Sequence, residues 1–187
     1  TKIITISGGA GNPAGSDKVD YLVIGGGGSG GGRYGGGGGA GGYRESNGTA
    51  SGCYTVSPLA TTPTTVPGLS VTATSYSIQV GGGGAQPATD VPGNLCGNAA
   101  GTKGDNSVFS SVTSTGGGGG AGQGNACAAV QDGGSGGGAD YTPGAEGSGN
   151  TPPTTPPQGQ NGGTGIGSPQ YLAGGGGGSI VAGSNAS

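Results

Sequence analysis

The chain has 187 residues, of which 55 are glycine and 12 are proline, and its formal net charge is −3. Charged residues make up 7% of the chain and aromatic residues 4%, so neither an ordinary apolar core nor disorder driven by charge repulsion is expected. The sequence shows no basic patch, which argues against a nucleic-acid partner. It also has no apolar run near the ~20 residues of a membrane span.

The first predicted element is a short β-prone run at residues 2–6, with the sequence KIITI. Such a strand pairs either with its own chain, which we favour slightly, or with a sheet edge of a neighbouring copy. We therefore expect residues 1–18 to be an assembly or attachment segment and residues 19–187 to be a glycine-rich domain. The candidate assembly residues are Lys2, Ile3, Ile4 and Ile6.

A second apolar run, at residues 19–24, predicts a strand that leads into nearly pure glycine between residues 25 and 42. Glycine disfavours a helix by about 1 kcal/mol per residue relative to alanine, and it gives an ordinary strand no side chains to pack. Two interpretations remain. One is a flexible linker. The other is packed polyglycine II, an extended helix with three residues per turn whose backbone groups bond to neighbouring helices where no Cβ keeps the axes apart.

Further glycine tracts follow at residues 81–84, 116–120, 133–138, 162–167 and 174–178. The apolar segments between the tracts are too short to be domains, so we favour an ordered glycine lattice over an array of linkers. The candidate lattice residues are Gly28, Gly37, Gly82, Gly118, Gly136 and Gly176.

Strands are also predicted at residues 69–80, which alternate in polarity, and at residues 108–115, with a turn at 103–107. The segments between the tracts carry most of the proline and cysteine. The predicted fold class is mostly irregular/β: a sandwich of polyglycine II helices with short β-strands and little or no α-helix.

The residues needed for common enzyme chemistry are missing. The chain has no histidine, so it lacks a Ser-His-Asp triad and a histidine-bearing zinc site. Cys53, Cys96 and Cys127 are too far apart for a CxxC site; they form one disulfide and leave an odd thiol, in any of three pairings, or remain three buried thiols. The GxGxxG matches in the glycine tracts lack the crossover helix of a dinucleotide site. We expect no enzyme activity and no cofactor or metal.

A few residues carry hints of location and binding. Asn47 and Asn185 fit the N-glycosylation pattern, which favours an extracellular chain. Most of the tyrosines lie beside glycine tracts, where a flat ring can cover a glycine face. Tyr54 and Tyr141 lie in loops instead, so they are the candidates for contact with a receptor or a sugar.

The order of the segments at residues 19–43, 75–84, 103–120, 133–138, 158–165 and 174–178 resembles that of a known glycine-rich domain family. This family occurs in bacteriophage tail fibres, including tail-fibre tip adhesins, and in environmental glycine-rich proteins. The resemblance covers the chain from about residue 19 to its end. It implies a sandwich of polyglycine II helices in which variable loops at one end touch a bacterial receptor.

Two functions are consistent with these features. The first is a self-assembling subunit of an extracellular filament, with the chain itself as partner, joined by strand exchange through residues 1–6. The Thr/Pro-rich segments at 44–68 and 140–160 and the odd cysteine favour it. The alternative is an adhesin at a phage tail-fibre tip, which binds a bacterial surface receptor or glycan through its loops. Both functions place the protein outside the cell, as a secreted filament or on a virion surface.

Overall fold

The computed structural model describes residues 2–5, 17–46, 66–87, 100–123 and 130–187. Within these ranges the chain forms short β-strands and no α-helix, and most residues are irregular. The strands are β1 (Lys2–Thr5), β2 (Lys18–Val19), β3 (Leu22–Ile24), β4 (Tyr43–Glu45), β5 (Leu69–Ser70), β6 (Ser75–Gln79), β7 (Ser107–Phe109) and β8 (Val112–Ser114). The predicted fold class, mostly irregular/β, is confirmed.

The glycine tracts bond to each other with a repeat of three residues. In the tract at residues 25–32, every third amide donates to the neighbouring tract at 35–42, over 2.8–2.9 Å. These donors are Gly25, Gly28 and Gly31. Between them, Gly26 and Ser29 donate to the tract at 100–106. Hydrogen bonds that change neighbour with a period of three are the signature of a helix with three residues per turn, packed on several sides.

The same rule holds in the middle of the molecule, in the tract at residues 115–122. The amides of Gly117 and Gly120 donate to the tract at 25–32, whereas those of Gly118 and Ala121 donate to the tract at 133–140. The tracts at residues 115–122 and 133–140 are both buried along their whole length. The core of the described structure is therefore made largely of backbone, and its buried apolar side chains are Val23, Val71, Ala121 and Ala139.

The tracts run between two ends of the molecule. Each hydrogen-bonds to neighbouring tracts along its length. The tracts lie at residues 25–32, 35–42, 81–87, 100–106, 115–122, 133–140, 145–150, 158–165, 173–178 and 183–187. The strands gather at one end, which we call the sheet end. At the opposite end the chain turns at Tyr34, Tyr141 and Tyr171, and we call it the tyrosine end.

The strands form three small sheets. One has the order β1-β6-β7-β8 and is antiparallel throughout, and two-stranded sheets join β2 with β5 and β3 with β4. The predicted strand at residues 19–24 is thus split between β2 and β3, which belong to different sheets. The strand β4 begins at the end of the glycine run and enters the Thr/Pro-rich segment at residues 44–68, where no strand was predicted.

Two other strand predictions were also too simple. Residues 69–80 are broken into β5 and β6 by a tight turn, in which the Thr74 amide donates to the Thr72 carbonyl over 2.8 Å. Residues 108–115 fall in the hairpin of β7 and β8, which turns at Ser110 with a φ of 52°. The alternation of polarity at residues 69–80 is insensitive to such a break, because the residues on both sides of the turn continue the same pattern although β5 and β6 belong to different sheets.

The turn predicted at residues 103–107 is wrong, because residues 100–106 form a tract of the lattice. Gly101 and Gly104 are three residues apart, so both face the tract at 25–32. A Cβ on Gly101 would overlap the carbonyl of Ser29, and one on Gly104 would overlap the carbonyl of Gly26. A tract can therefore join the lattice with glycine at only every third position.

Candidate functional site

The strand β1 lies at an outer edge of the four-stranded sheet. It pairs with β6 of its own chain, with Ile3 opposite Ser77 and Thr5 opposite Ser75. All four of its residues are exposed, Ile3 to 68% and Ile4 to 49%. Of the candidate assembly residues, Lys2, Ile3 and Ile4 lie in this strand, and Ile6 lies outside the described residues. An exposed edge strand is a template for pairing with another chain.

An apolar groove with a volume of about 630 Å³ lies beside β1 at the sheet end. Its walls include Ile4 of β1, Leu22 and Ile24 of β3, Val80 just after β6, and Phe109 of β7. Of these, Ile4, Leu22, Ile24 and Val80 are exposed, Val80 to 84%. Contiguous exposed apolar surface of this kind marks interaction sites in soluble proteins.

The groove carries one formal charge among its described lining residues, the carboxylate of Asp20. Asp20 accepts a hydrogen bond of 2.9 Å from the hydroxyl of Ser46, which in turn accepts one of 3.0 Å from the amide of Tyr21. Burial raises the pKa of Tyr21 above its ordinary value of 10.0, and the nearby charge of Arg44 opposes that rise. The buried hydroxyl of Ser46 thus links the Asp20 carboxylate to the backbone of Tyr21, and both residues line the groove.

Three tyrosines meet at the opposite end. The ring centroids of Tyr34 and Tyr141 are 6.4 Å apart, and those of Tyr141 and Tyr171 are 5.3 Å apart, both edge-to-face. The guanidinium of Arg33 lies 6.0 Å from the centre of the Tyr34 ring. Such contacts between rings contribute about 0.5–1.5 kcal/mol each. We call these three rings the tyrosine cluster.

The backbone of this cluster is strained. Tyr34, Tyr171 and Arg33 have φ values of 49°, 51° and 37°, and the left-handed region costs a non-glycine residue about 1–2 kcal/mol. Tyr34 is 56% exposed and Tyr171 is 47% exposed. Glycine would adopt these backbone angles without strain, and the chain uses it freely elsewhere. Exposed aromatic side chains at these positions therefore indicate that this surface has a function.

The sequence located only part of this cluster. Tyr141 was predicted as a receptor contact and lies at its centre, whereas Tyr54 lies outside the described residues. Tyr34 and Tyr171 were assigned to cover glycine faces because they lie beside tracts. The signal that was missed is that all three stand at or beside turns where the chain passes from one tract to the next, which brings them to the same end.

The candidate lattice glycines differ in how closely they are packed. At five of the six, an added Cβ would meet backbone from another part of the chain at a separation that real Cβ atoms do not show. These five are Gly28, Gly37, Gly118, Gly136 and Gly176. Gly82 differs: its carbonyl accepts a hydrogen bond of 2.9 Å from the Asp105 amide, but an added Cβ would lie 3.5 Å from its nearest neighbour, the Asp105 carboxylate.

The remaining candidate residues form no chemical centre in the described structure. Asn185 is exposed, and its side-chain oxygen accepts a 2.9 Å hydrogen bond from the Thr164 amide. Asn47 and the three cysteines Cys53, Cys96 and Cys127 lie outside the described residues. Across the described ranges, no group of three or more acidic, cysteine or histidine residues is placed to hold a metal ion. The same ranges contain no helix that could span a membrane.

Comparison with known proteins identifies the chain at the level of a domain family. The family model described as a glycine-rich domain matches residues 5–187, which is nearly the whole chain and includes the end of β1. No curated protein and no solved structure matches it. The family match agrees with the resemblance inferred from the order of the glycine tracts and the strands before them. The chain belongs to the glycine-rich domain family.

Proposed function

We propose that this protein is a non-enzymatic subunit of an extracellular filament, and that copies join by exchanging the strand β1. The observation that carries the proposal is the position of β1 at a sheet edge, paired only with β6 in the described sheet and with its four residues exposed. The same strand from another copy would make the same backbone hydrogen bonds to β6. Exchange of an identical element is therefore a low-cost route to assembly.

The chain has the reach that this exchange needs. Eleven residues separate Thr5 from Asp17, and a fully extended chain of that length spans up to about 36–40 Å. A tract of eight residues with three residues per turn is about 25 Å long. When fully extended, a segment of this number of residues could span more than one tract, which would let β1 reach towards β6 of a copy stacked end to end with its own.

The geometry also favours a filament over a closed dimer. A copy that gives β1 to one neighbour and receives β1 from another uses two different surfaces. Such heterologous contacts produce open filaments unless the rotation between copies closes a ring. The packed glycine tracts form the part of each subunit that lies between the two contact surfaces.

A cysteine pair tests the exchange directly. The side-chain oxygens of Thr5 and Ser75 are 3.1 Å apart across β1 and β6. We would combine Thr5→Cys with Ser75→Cys in a chain whose three native cysteines are replaced by serine, let it assemble, oxidise it and run a denaturing gel without reductant. Exchange predicts a ladder of covalent multimers, because each disulfide then joins two copies.

The single variants Thr5→Cys and Ser75→Cys are the matched controls, and each should give no species larger than a dimer. Electron microscopy of the parent chain beside a deletion of residues 1–6 provides a second readout. Filaments should form from the parent and vanish in the deletion. Oxidised double variant that runs as monomer, taken from a sample that contains filaments, would show that β1 stays in its own sheet.

A second candidate function is an adhesin that binds a bacterial surface receptor or glycan, as at a phage tail-fibre tip. The specific observation in its favour is the exposed tyrosine cluster at the end opposite to β1. Tyrosine rings whose hydroxyl groups stay hydrated are well adapted to bind sugars and proteins. Binding of the labelled chain to a glycan array, lost in Tyr171→Asn, would support it; dispersed monomers that bind no glycan and no bacterial cells would rule it out.

A further inference from the structure

We infer that the filament grows when the tyrosine cluster of one copy inserts into the sheet-end groove of the next. This inference rests on the proposed filament and names its second contact. The groove and the cluster lie at opposite ends of the same tracts: residues 25–32 begin directly after β3, which lines the groove, and end at Arg33. End-to-end stacking along the tract direction therefore brings one copy's cluster to the sheet end of the next copy, where the groove lies.

The two surfaces are chemically complementary. The groove is wide, open and lined mainly by apolar side chains, several of them exposed. The cluster presents exposed aromatic rings, and a buried tyrosine ring removes about 150–250 Å² from water while its hydroxyl can stay hydrated. A volume of about 630 Å³ falls in the range of pockets that hold a few rings. The interface would have the usual pattern of an aromatic centre with a polar rim.

The charges at the two surfaces also correspond. Asp20 provides the one formal charge among the described residues of the groove. At the other end, the exposed Arg33 lies against Tyr34. Opposite charges on two docking surfaces fix their orientation and speed their encounter.

The groove contact and the strand exchange depend on each other. Ile4 of β1 forms part of the groove wall. When β1 comes from another copy, that copy supplies part of the surface on which the tyrosine cluster docks. The strain at Tyr34 and Tyr171 also fits this role, because it holds both rings at the tip of the subunit, where the next copy lies.

Variants at each surface test this contact. Tyr34→Asn with Tyr171→Asn removes the rings, and asparagine tolerates a positive φ, so the backbone is kept. Val80→Ser alters the groove at an exposed residue. Ile180→Ser is the matched control, because Ile180 is also exposed but lies outside the groove and the cluster. Thermal unfolding of every variant checks that it folds.

The measured quantity is the critical concentration for filament formation, followed by light scattering. Because buried tyrosines at interface centres are frequent hot spots, we expect a rise of roughly tenfold or more for the tyrosine variant. A similar change is expected for Val80→Ser and little change for Ile180→Ser.

Strand exchange and the contact between cluster and groove are contradicted by different results. Filaments that need β1, but whose critical concentration is the same in all three variants, would overturn this inference and leave strand exchange standing. A parent chain that forms no filaments would overturn both. An equal effect of Ile180→Ser and Val80→Ser would also contradict the inference, because it would point to a general surface effect and not to the groove.

Discussion

Two tracts that share the sequence GGGGA, at residues 117–121 and 81–85, are packed to very different degrees. The tract at residues 115–122 is buried along its length and bonds to tracts on several sides. The tract at residues 81–87 lies at the edge of the lattice, where Gly82 and Gly83 are exposed. A Cβ on Gly118 would overlap the carbonyl of Gln131, whereas one on Gly83 would come no closer than 3.7 Å to the carbonyl of Gly27.

This difference shows what glycine does in the protein. A tract needs glycine wherever another tract's backbone occupies the space of the missing Cβ, and that depends on its neighbours and not on its own sequence. The interior is stable because its amides and carbonyls are paired between tracts, which meets the requirement that buried backbone groups find partners. Apolar side chains contribute little of the described interior and collect instead at the sheet end.

The largest effect is expected from alanine at a buried glycine. Gly118→Ala would force a Cβ into the Gln131 carbonyl, and such overpacking should lower the free energy of unfolding by about 3 kcal/mol or leave the chain unfolded. Gly83→Ala is the matched control. It should leave stability unchanged or raise it by up to about 1 kcal/mol, because alanine restricts the unfolded chain. Denaturant unfolding measures both, and equal stability of the two variants would refute the distinction between the tracts.

A smaller effect is expected at the end of the buried tract, where Gln158 is 1% exposed. Its side-chain oxygen accepts from the Thr115 amide over 2.9 Å, and its side-chain nitrogen donates to the Pro152 carbonyl over 3.0 Å. Gln158→Ala leaves both groups unpaired, so a loss of about 2–4 kcal/mol is expected. The exposed Gln79 bonds only to the Asn106 carbonyl at 3.5 Å, and Gln79→Ala should change stability by less than about 0.5 kcal/mol.

The smallest effect concerns the sheet end, where side chains replace glycine packing. Burial raises the pKa of Tyr21 above 10.0, so the folded chain holds this proton at a pH where the unfolded chain has released it. The free energy of unfolding should therefore fall as the pH rises through 10. Comparison of the parent with Tyr21→Phe isolates this contribution, and an identical pH dependence of the two chains would show that Tyr21 is not responsible.

The sequence predicted the parts of this fold that depend on composition. A long glycine run leaves few ordered conformations, so the mostly irregular/β class was predictable once the run at residues 25–42 was considered together with the later glycine tracts. The arrangement of the tracts was not, because glycine has no side chain to specify its neighbour. The tract at residues 100–106 was missed for that reason, since only Gly101 and Gly104 face the lattice. The tyrosine cluster was missed because it depends on where each tract ends.

Amide hydrogen exchange of the full chain, read for individual tracts, tests the packed lattice most directly. Amides in a packed interior exchange only when the structure opens. If the lattice is packed as described, the amides of Gly117, Gly118 and Gly120 exchange only through global unfolding, while those of the exposed Gly82 and Gly83 exchange fast. Fast exchange in every tract, at rates near those of an unstructured peptide, would contradict the lattice and restore the interpretation of the tracts as linkers.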